Sequence, residues 1–218
     1  MNKDRKSFFV SGTGTDVGKT IFCTILAQKL GVSYWKPIQC GKNADGKTDS
    51  EIVDHLTAKN IKIQKNTYYF KNPLSPNIAA KKNKSEINVK KILKLKKEYT
   101  KKEGVIIEGA GGLMVPINNS FLMVDLIKEM KLPLILVAST KLGTINHTLL
   151  SINLIKQRKL NFHGIVFIGK KNHDTEKTII SEITKNFFKK LKIIARVPKF
   201  KTVNKKSISN GLKYISIK

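Results

Sequence analysis

The stretch that constrains the fold most is FFVSGTGTDVGKT, residues 8–20. A short apolar run leads into a loop with three glycines, and an apolar helical pattern follows the pair Lys19-Thr20. Strand, glycine loop and helix in this order are the context of a phosphate-binding loop, whose glycines let backbone N–H groups point toward an anion. The sequence therefore predicts a nucleoside-triphosphate site. Lys19 is expected at the β- and γ-phosphates and the Thr20 hydroxyl on Mg²⁺.

The loop departs from the common pattern G-x-x-x-x-G-K-[ST] at its first glycine. Thr13 occupies that position, and Gly12 and Gly14 flank it, so the loop is a variant form. A chance glycine-rich turn is the alternative, but the Gly-Lys-Thr triplet lies where the strand is expected to give way to a helix. Nucleotide binding is assigned to Gly14, Thr15, Asp16, Val17, Gly18, Lys19, Thr20 and Ile21.

Short apolar strands alternate with helical patterns along the rest of the chain. Strands are predicted at 8–11, 32–35, 104–108, 132–139, 162–168 and 192–197, and residues 38–47 read as a polar loop. Helices between consecutive strands imply a parallel sheet covered on both faces. We therefore predict an α/β fold of the P-loop NTPase type. A single domain over 1–218 would form a three-layer sandwich around a mostly parallel central sheet.

Three further charged side chains are predicted to lie near the loop. Lys36 follows the second predicted strand, and Glu108 ends the third. Parallel sheets bind ligands beyond the carboxyl ends of their strands. Asp49 begins a helix with Thr48 as N-cap and Glu51 completing a capping box. Two carboxylates and a hydroxyl are oxygen ligands that Mg²⁺ prefers. Stabilisation of the first helical turn is the alternative role of Asp49.

Charge and cysteine content narrow the function classes. The net charge of +27 suits nucleic acid or a membrane surface, but only three of the 42 basic residues are arginine and the lysines are spread along the chain. We expect no specific nucleic-acid partner and no membrane partner. The positive electrostatic potential of the chain would equally attract a nucleotide.

Cys23 and Cys40 show no metal-ligand spacing. No apolar leader precedes the first strand, which favours a cytoplasmic protein.

Four motifs together resemble the dethiobiotin synthetase family. They are GTGTDVGKT, YWKPIQCG, IIEGAGGLMVP and VASTKLGTINHTLL, in the family's order and within residues 8–150. The resemblance implies a cyclo-ligase of biotin synthesis. It would use 7,8-diaminopelargonic acid (7,8-diaminononanoate), CO₂ and a nucleoside triphosphate with Mg²⁺. One amine forms a carbamate, whose oxygen attacks the γ-phosphate to give a carbamic-phosphoric anhydride. The second amine then closes the ureido ring and expels phosphate.

The resemblance also implies residue roles. Lys36, Lys19 and Thr15 would be catalytic, and Thr20, Asp49 and Glu108 would hold the metal. Lys36 would contact the carbamate and the γ-phosphate. Substrate contacts would come from Thr15, Asp16, Lys36, Cys40, Gly111, Gly143, Thr144, Ile145 and Asn146. The last four begin a helix that would bind the substrate carboxylate of the other subunit in a homodimer, as a helix N-terminus can.

Three positions differ from the family's usual residues. Cys40 stands where Ser is common, and Asp16 where Glu is common. The strand FHGIVFIGKKN lacks the Asn-Asp pair that reads adenine in many members; Ile168-Gly169 lies there instead. We therefore expect poor discrimination of ATP from GTP or CTP.

Other P-loop proteins compete with this interpretation. Partition and septum-site ATPases share the deviant loop and bind DNA or membrane, but they usually carry a lysine at the position of Gly14. Ligases of the cobyrinic acid a,c-diamide synthase type normally add a glutaminase domain, for which 218 residues leave no room. A standalone kinase would need a phosphate-accepting substrate site that the sequence does not indicate.

Overall fold

The computed structural model describes residues 6–58 and 60–217, so the two ends of the predicted domain over 1–218 lie outside the described residues. In this part of the chain the strands are β1 (Phe8–Gly12), β2 (Ser33–Trp35), β3 (Ile38–Cys40), β4 (Ile63–Gln64), β5 (Tyr68–Phe70), β6 (Val105–Gly112), β7 (Leu134–Ser139), β8 (Phe162–Ile168) and β9 (Ile193–Val197). The helices are α1 (Lys19–Leu30), α2 (Asp49–Leu56), α3 (Pro76–Lys82), α4 (Val89–Lys102), α5 (Met123–Met130), α6 (Thr144–Gln157), α7 (His173–Asn186) and α8 (Lys205–Gly211), followed by a 3-10 turn (Leu212–Tyr214).

The described strands form a seven-stranded sheet in the order β4-β2-β6-β1-β7-β8-β9, and every neighbouring pair in it is parallel. Two apolar cores lie on opposite faces. One is formed with α1, α2 and α8, and the other with α3 to α7. The predicted three-layer α/β sandwich is confirmed. Its central strand β1 is buried along its whole length, which explains its continuous apolar sequence.

The turn from β1 into α1 depends on glycine conformation. Gly18 is the N-cap of α1 with φ 94°, a left-handed conformation that side-chain-bearing residues rarely adopt. Gly31 ends the helix with φ 65°, as the sequence predicted, and its N–H donates to the Ala27 carbonyl. These two residues hold α1 between the glycine loop and β2.

Two parts of the sequence prediction were wrong. Residues 38–47 are not all loop: β3 pairs with β5 in a separate two-stranded parallel sheet. β3 contains only Ile-Gln-Cys and is followed by a polar, glycine-bearing stretch, so no apolar run marked it as a strand. The third predicted strand does not end at Glu108 either. β6 continues through the glycines to Gly112, which pairs with Gly12. A Cβ at Gly112 would lie 3.4 Å from the Gly12 carbonyl oxygen, so the small residue permits the close approach.

The far edge of the sheet is partly covered by the C-terminal segment. Ser216 donates its backbone N–H to the Ile194 carbonyl in β9. This segment and α8 were not predicted from the sequence. Across the described residues, no helix has both the length and the apolar composition needed to cross a membrane.

Candidate active site

The carboxyl ends of β1, β2 and β6 meet at one edge of the sheet, and their polar side chains converge there. Lys36 directly follows β2, and Glu108 lies within β6. Asp49 is brought to the same point by the start of α2, where the predicted capping box is present. Glu51 accepts a 2.6 Å hydrogen bond from the Thr48 backbone N–H, which fixes the first turn of the helix.

Four side chains form what we call the site cluster: Thr20, Lys36, Asp49 and Glu108. The Thr20 hydroxyl lies 3.1 Å from Asp49 Oδ1 and 3.0 Å from Glu108 Oε1. Lys36 Nζ donates to Glu108 Oε1 at 3.1 Å and also to Asp49 Oδ2. The Lys36 and Glu108 side chains are only 8% and 1% exposed, so these charges are paired away from water. The structure thus brings together the lysine and the oxygen donors that the sequence singled out.

The charges in the cluster stabilise one another. Burial disfavours the Lys36 ammonium, but the Glu108 and Asp49 carboxylates outweigh burial and raise the pKa of Lys36. Burial likewise opposes ionisation of Asp49, and Lys36 outweighs it, so the pKa of Asp49 is lowered. Lys36 and Asp49 therefore both remain charged near neutral pH.

Lys19 lies next to the cluster at the start of α1. Its Nζ donates a 2.7 Å hydrogen bond to the Gly14 carbonyl across the loop. Burial lowers the pKa of this ammonium, with Glu108 acting in the opposite direction. Gly12 makes the arrangement possible, because a Cβ there would lie 2.7 Å from a methyl carbon of Val17 and 3.1 Å from the Lys19 side chain.

Two buried residues behind Glu108 were missed by the sequence prediction. The Tyr34 hydroxyl donates a 2.8 Å hydrogen bond to Glu108 Oε2, and the Cys23 thiol lies close enough that this carboxylate adds to the effect of burial in raising the thiol pKa. The signal was spacing: Tyr34 is two residues before Lys36 on a strand, and Cys23 is three after Thr20 on a helix. Each pair therefore shares a face.

Among the described residues, four other predicted substrate residues, Thr15, Asp16, Cys40 and Gly111, are not joined to the cluster by a side-chain hydrogen bond. Thr15 and Asp16 are exposed at the loop tip, where Asp16 has φ 52°. Cys40 is partly buried, and burial raises the pKa of its thiol to about 11, while Lys36 opposes that change. Gly111 has φ 68°. In residues 6–58 and 60–217, no side-chain hydrogen bond joins Thr15, Asp16 or Cys40 to the cluster.

The start of α6 lies at the same edge of the sheet, beyond β7. Gly143 is its N-cap with φ 90°, and the Thr144 hydroxyl donates to the Ser139 carbonyl at 2.5 Å. Thr144 is buried, Asn146 is exposed, and Leu142 is fully exposed. Of the predicted substrate residues here, Thr144 uses its hydroxyl to anchor the helix. The Thr144 backbone N–H donates to the Lys141 carbonyl, so an anion at this helix N-terminus would have to be bound by the N–H groups that follow it.

The position expected to read the nucleotide base is apolar. Ile168, at the end of β8, packs against the loop so closely that a Cβ on Gly18 would lie 2.9 Å from its Cδ1 atom. Gly169 donates its N–H to the Val197 carbonyl. Neither side chain can donate or accept a hydrogen bond.

The donors present fit a magnesium ion that keeps water and phosphate ligands. Thr20, Asp49 and Glu108 offer one hydroxyl and two carboxylates within hydrogen-bond distance of one another. Mg²⁺ is usually bound by one or two carboxylates together with substrate phosphates. Among the described residues no group of three or more His, Cys, Asp or Glu side chains is placed to hold a metal ion.

Comparisons with known proteins agree on the fold and point to one activity. A family model described as an AAA domain matches residues 6–207. An ATP-dependent dethiobiotin synthetase of Lawsonia intracellularis is 40% identical over 203 residues, 93% of each chain. One from Afipia carboxidovorans is 44% identical over 171 residues, 78% of this chain and 79% of its own.

Solved structures resemble the chain at much lower identity. A ParA family ATPase from Chlorobium tepidum has a TM-score of 0.57 at 12% identity, with 97% of this chain and 99% of that one covered. The MinC:MinD cell division complex of Aquifex aeolicus gives 0.56 at 13% identity, with 94% and 86% covered. At such identities the likeness shows the fold alone and does not favour the partition or septum-site alternative.

Proposed function

This chain belongs to the dethiobiotin synthetase family, and from that membership we propose how its site carries out the ATP-dependent ligase reaction. The substrates are 7,8-diaminopelargonic acid, CO₂ and a nucleoside triphosphate. The products are dethiobiotin, the nucleoside diphosphate and phosphate. The observation that carries the assignment is the site cluster itself: a buried lysine and two carboxylates beside a phosphate-binding loop.

The glycine loop and Lys19 bind the phosphates. The loop residues 14–18 place backbone N–H groups around the anion, and α1 directs its positive end toward it. Lys19 Nζ exchanges its bond to the Gly14 carbonyl for phosphate oxygens and stabilises the charge that develops on the γ-phosphate. Thr20, Asp49 and Glu108 would hold Mg²⁺, which when bound supplies positive charge at the β- and γ-phosphates.

Lys36 is assigned to the reacting carbamate. The carbamate forms when one substrate amine attacks CO₂ and loses a proton. Its oxygen then attacks phosphorus, and the bond from the γ-phosphate to the nucleoside diphosphate breaks. The second amine attacks the carbonyl carbon of this carbamic-phosphoric anhydride, loses a proton and expels phosphate as the ring closes. The Lys36 ammonium, kept charged by its two carboxylate partners, can neutralise the carbamate and the transferred phosphoryl group.

The remaining substrate contacts are assigned around this centre. Thr15, Asp16, Cys40 and Gly111 would contact the diamine. The substrate carboxylate would lie at the N-terminus of α6, at Gly143–Asn146, from the second subunit of a homodimer. We further propose a cytoplasmic location for the enzyme, with no membrane partner.

The apolar end of β8 supports a relaxed choice of nucleotide. Ile168 and Gly169 provide contact with a base but no side-chain donor or acceptor that would distinguish adenine from guanine or cytosine. We propose that GTP and CTP replace ATP with only modest loss.

The activity is tested by supplying diaminopelargonate, ¹³C-labelled bicarbonate, Mg²⁺ and ATP, and following the products by mass spectrometry. We expect dethiobiotin carrying one ¹³C atom, with one phosphate released per ring closed. A parallel reaction without the diamine should show little hydrolysis. Hydrolysis of ATP that is unaffected by the diamine, with no labelled product, would refute the proposal. Stimulation by DNA or liposomes would favour the partition or septum-site alternative.

A further inference from the structure

Tyr34 contacts the site cluster from inside the protein. It is fully buried, and its hydroxyl donates a 2.8 Å hydrogen bond to Glu108 Oε2. The strand register explains the contact. Tyr34 pairs with Ile106 in the parallel β2–β6 ladder, and Glu108 lies two residues beyond Ile106 on the same face of the sheet.

The two oxygens of Glu108 have different surroundings. Oε1 faces the cluster, where it lies 3.0 Å from the Thr20 hydroxyl and 3.1 Å from Lys36 Nζ. Oε2 faces the core and receives the Tyr34 hydrogen bond. Burial, followed by the nearby Glu108 charge, raises the pKa of Tyr34 well above its usual value, so the phenol remains a donor. One oxygen is thus held by the protein and the other is presented to the site.

We propose that Tyr34 is a positioning residue that fixes the Glu108 carboxylate so that Oε1 alone faces the metal. This inference rests on the proposed function, in which Glu108 is a metal ligand. Groups that hydrogen-bond the ligands of a metal orient them, and their loss typically costs 10- to 100-fold in metal affinity or activity. Without the phenol, Oε2 is an unsatisfied acceptor in the core, and the carboxylate can rotate away from its productive orientation.

The direct test measures Mn²⁺ affinity of the protein–ADP complex by the electron paramagnetic resonance signal of free Mn²⁺. Tyr34→Phe keeps the ring and removes the hydroxyl, and we expect about tenfold weaker Mn²⁺ binding. Tyr68→Phe is the matched control. It also removes a hydrogen-bonded phenol, one that accepts from the Asn88 N–H at 3.0 Å outside the site, and should stay within about twofold of the parent protein.

Two further measurements separate positioning from general damage. ADP affinity in EDTA should be the same in Tyr34→Phe and the parent protein. The Mg²⁺ concentration for half-maximal rate should rise about tenfold, while kcat at saturating Mg²⁺ is retained. If Tyr34→Phe weakens metal-free ADP binding as much as it weakens Mn²⁺ binding, the residue is structural and the inference is wrong.

Glu108→Gln distinguishes failure of this inference from failure of the assigned site. If Glu108→Gln weakens Mn²⁺ binding and Tyr34→Phe does not, Tyr34 has no positioning role and the metal site stands. If neither substitution changes Mn²⁺ affinity, Glu108 is not a metal ligand, and both the inference and that part of the proposed function are wrong.

Discussion

The site cluster and the start of α6 lie at the same edge of the sheet, but they differ in how far their side chains are buried and paired within this one chain. In the cluster, each charged group meets a partner from another element, and Glu108 is 1% exposed. At the start of α6, Leu142 is fully exposed, and Leu150 on the same helix is 62% exposed. One region is assembled by a single chain. The other presents two exposed leucines, which a second copy would cover under the proposed homodimer.

The difference separates two kinds of functional residue. Residues of the cluster act through buried charge, whose effect is large because water is excluded. Residues at the α6 start would act through contact with another subunit, so their effect depends on association. Substitutions in the two regions should therefore affect different measurements.

The largest effect is expected from Lys19→Ala, beside the site cluster. Under the proposed function Lys19 contacts the γ-phosphate, so its removal should lower kcat by about 100- to 1,000-fold, because charge developing in the transition state loses its stabilisation. Steady-state kinetics and a thermal melt are the measurements. Lys90→Ala, on the exposed face of α4, is the matched control and should change neither. Retention of most activity by Lys19→Ala would contradict its assigned role.

An intermediate effect is expected from Leu142→Asp in the second region. A buried charge in a subunit contact should dissociate the dimer in sedimentation experiments and raise the KM for diaminopelargonate about tenfold. ADP affinity should not change, because the nucleotide loop belongs to one chain. Val203→Asp replaces another exposed apolar residue and serves as the control. A monomeric parent protein, or an unchanged KM in a dissociated variant, would rule out a substrate site shared between subunits.

The smallest effect is expected from changing the base of the nucleotide. Under the proposed function the phosphates would contact charged groups and the base would contact Ile168, so kcat/KM for GTP and CTP should fall within about tenfold of that for ATP. Competition between labelled triphosphates in one reaction gives the ratios directly. A hundredfold preference for ATP would show that a polar group elsewhere reads the base.

Much of the fold and of the site cluster could be predicted from the sequence, because short sequence patterns agree with the strands and helices that the chain forms. The Gly-Lys-Thr triplet, the apolar strands and the capping box at Thr48 are each short-range patterns, and the structure contains all of them. The pairing of β3 with β5 could not be predicted, because β3 contains no apolar run and its partner lies in another part of the sequence. Tyr34 was missed for a related reason. Its spacing to Lys36 indicates a shared face, but its contact with Glu108 follows from the register between β2 and β6, which no local pattern specifies.

The position of Lys36 between Asp49 and Glu108 has a consequence for how the site responds to its ligands. Two ammonium groups, Lys19 and Lys36, and two carboxylates make the region electroneutral without help from outside the chain. A site whose charged side chains are paired with one another can form when the polypeptide folds, before any ligand binds. If Thr20, Asp49 and Glu108 hold Mg²⁺ as proposed, the cation would replace Lys36 as the partner of the two carboxylates, and the Lys36 ammonium would become available to the phosphates.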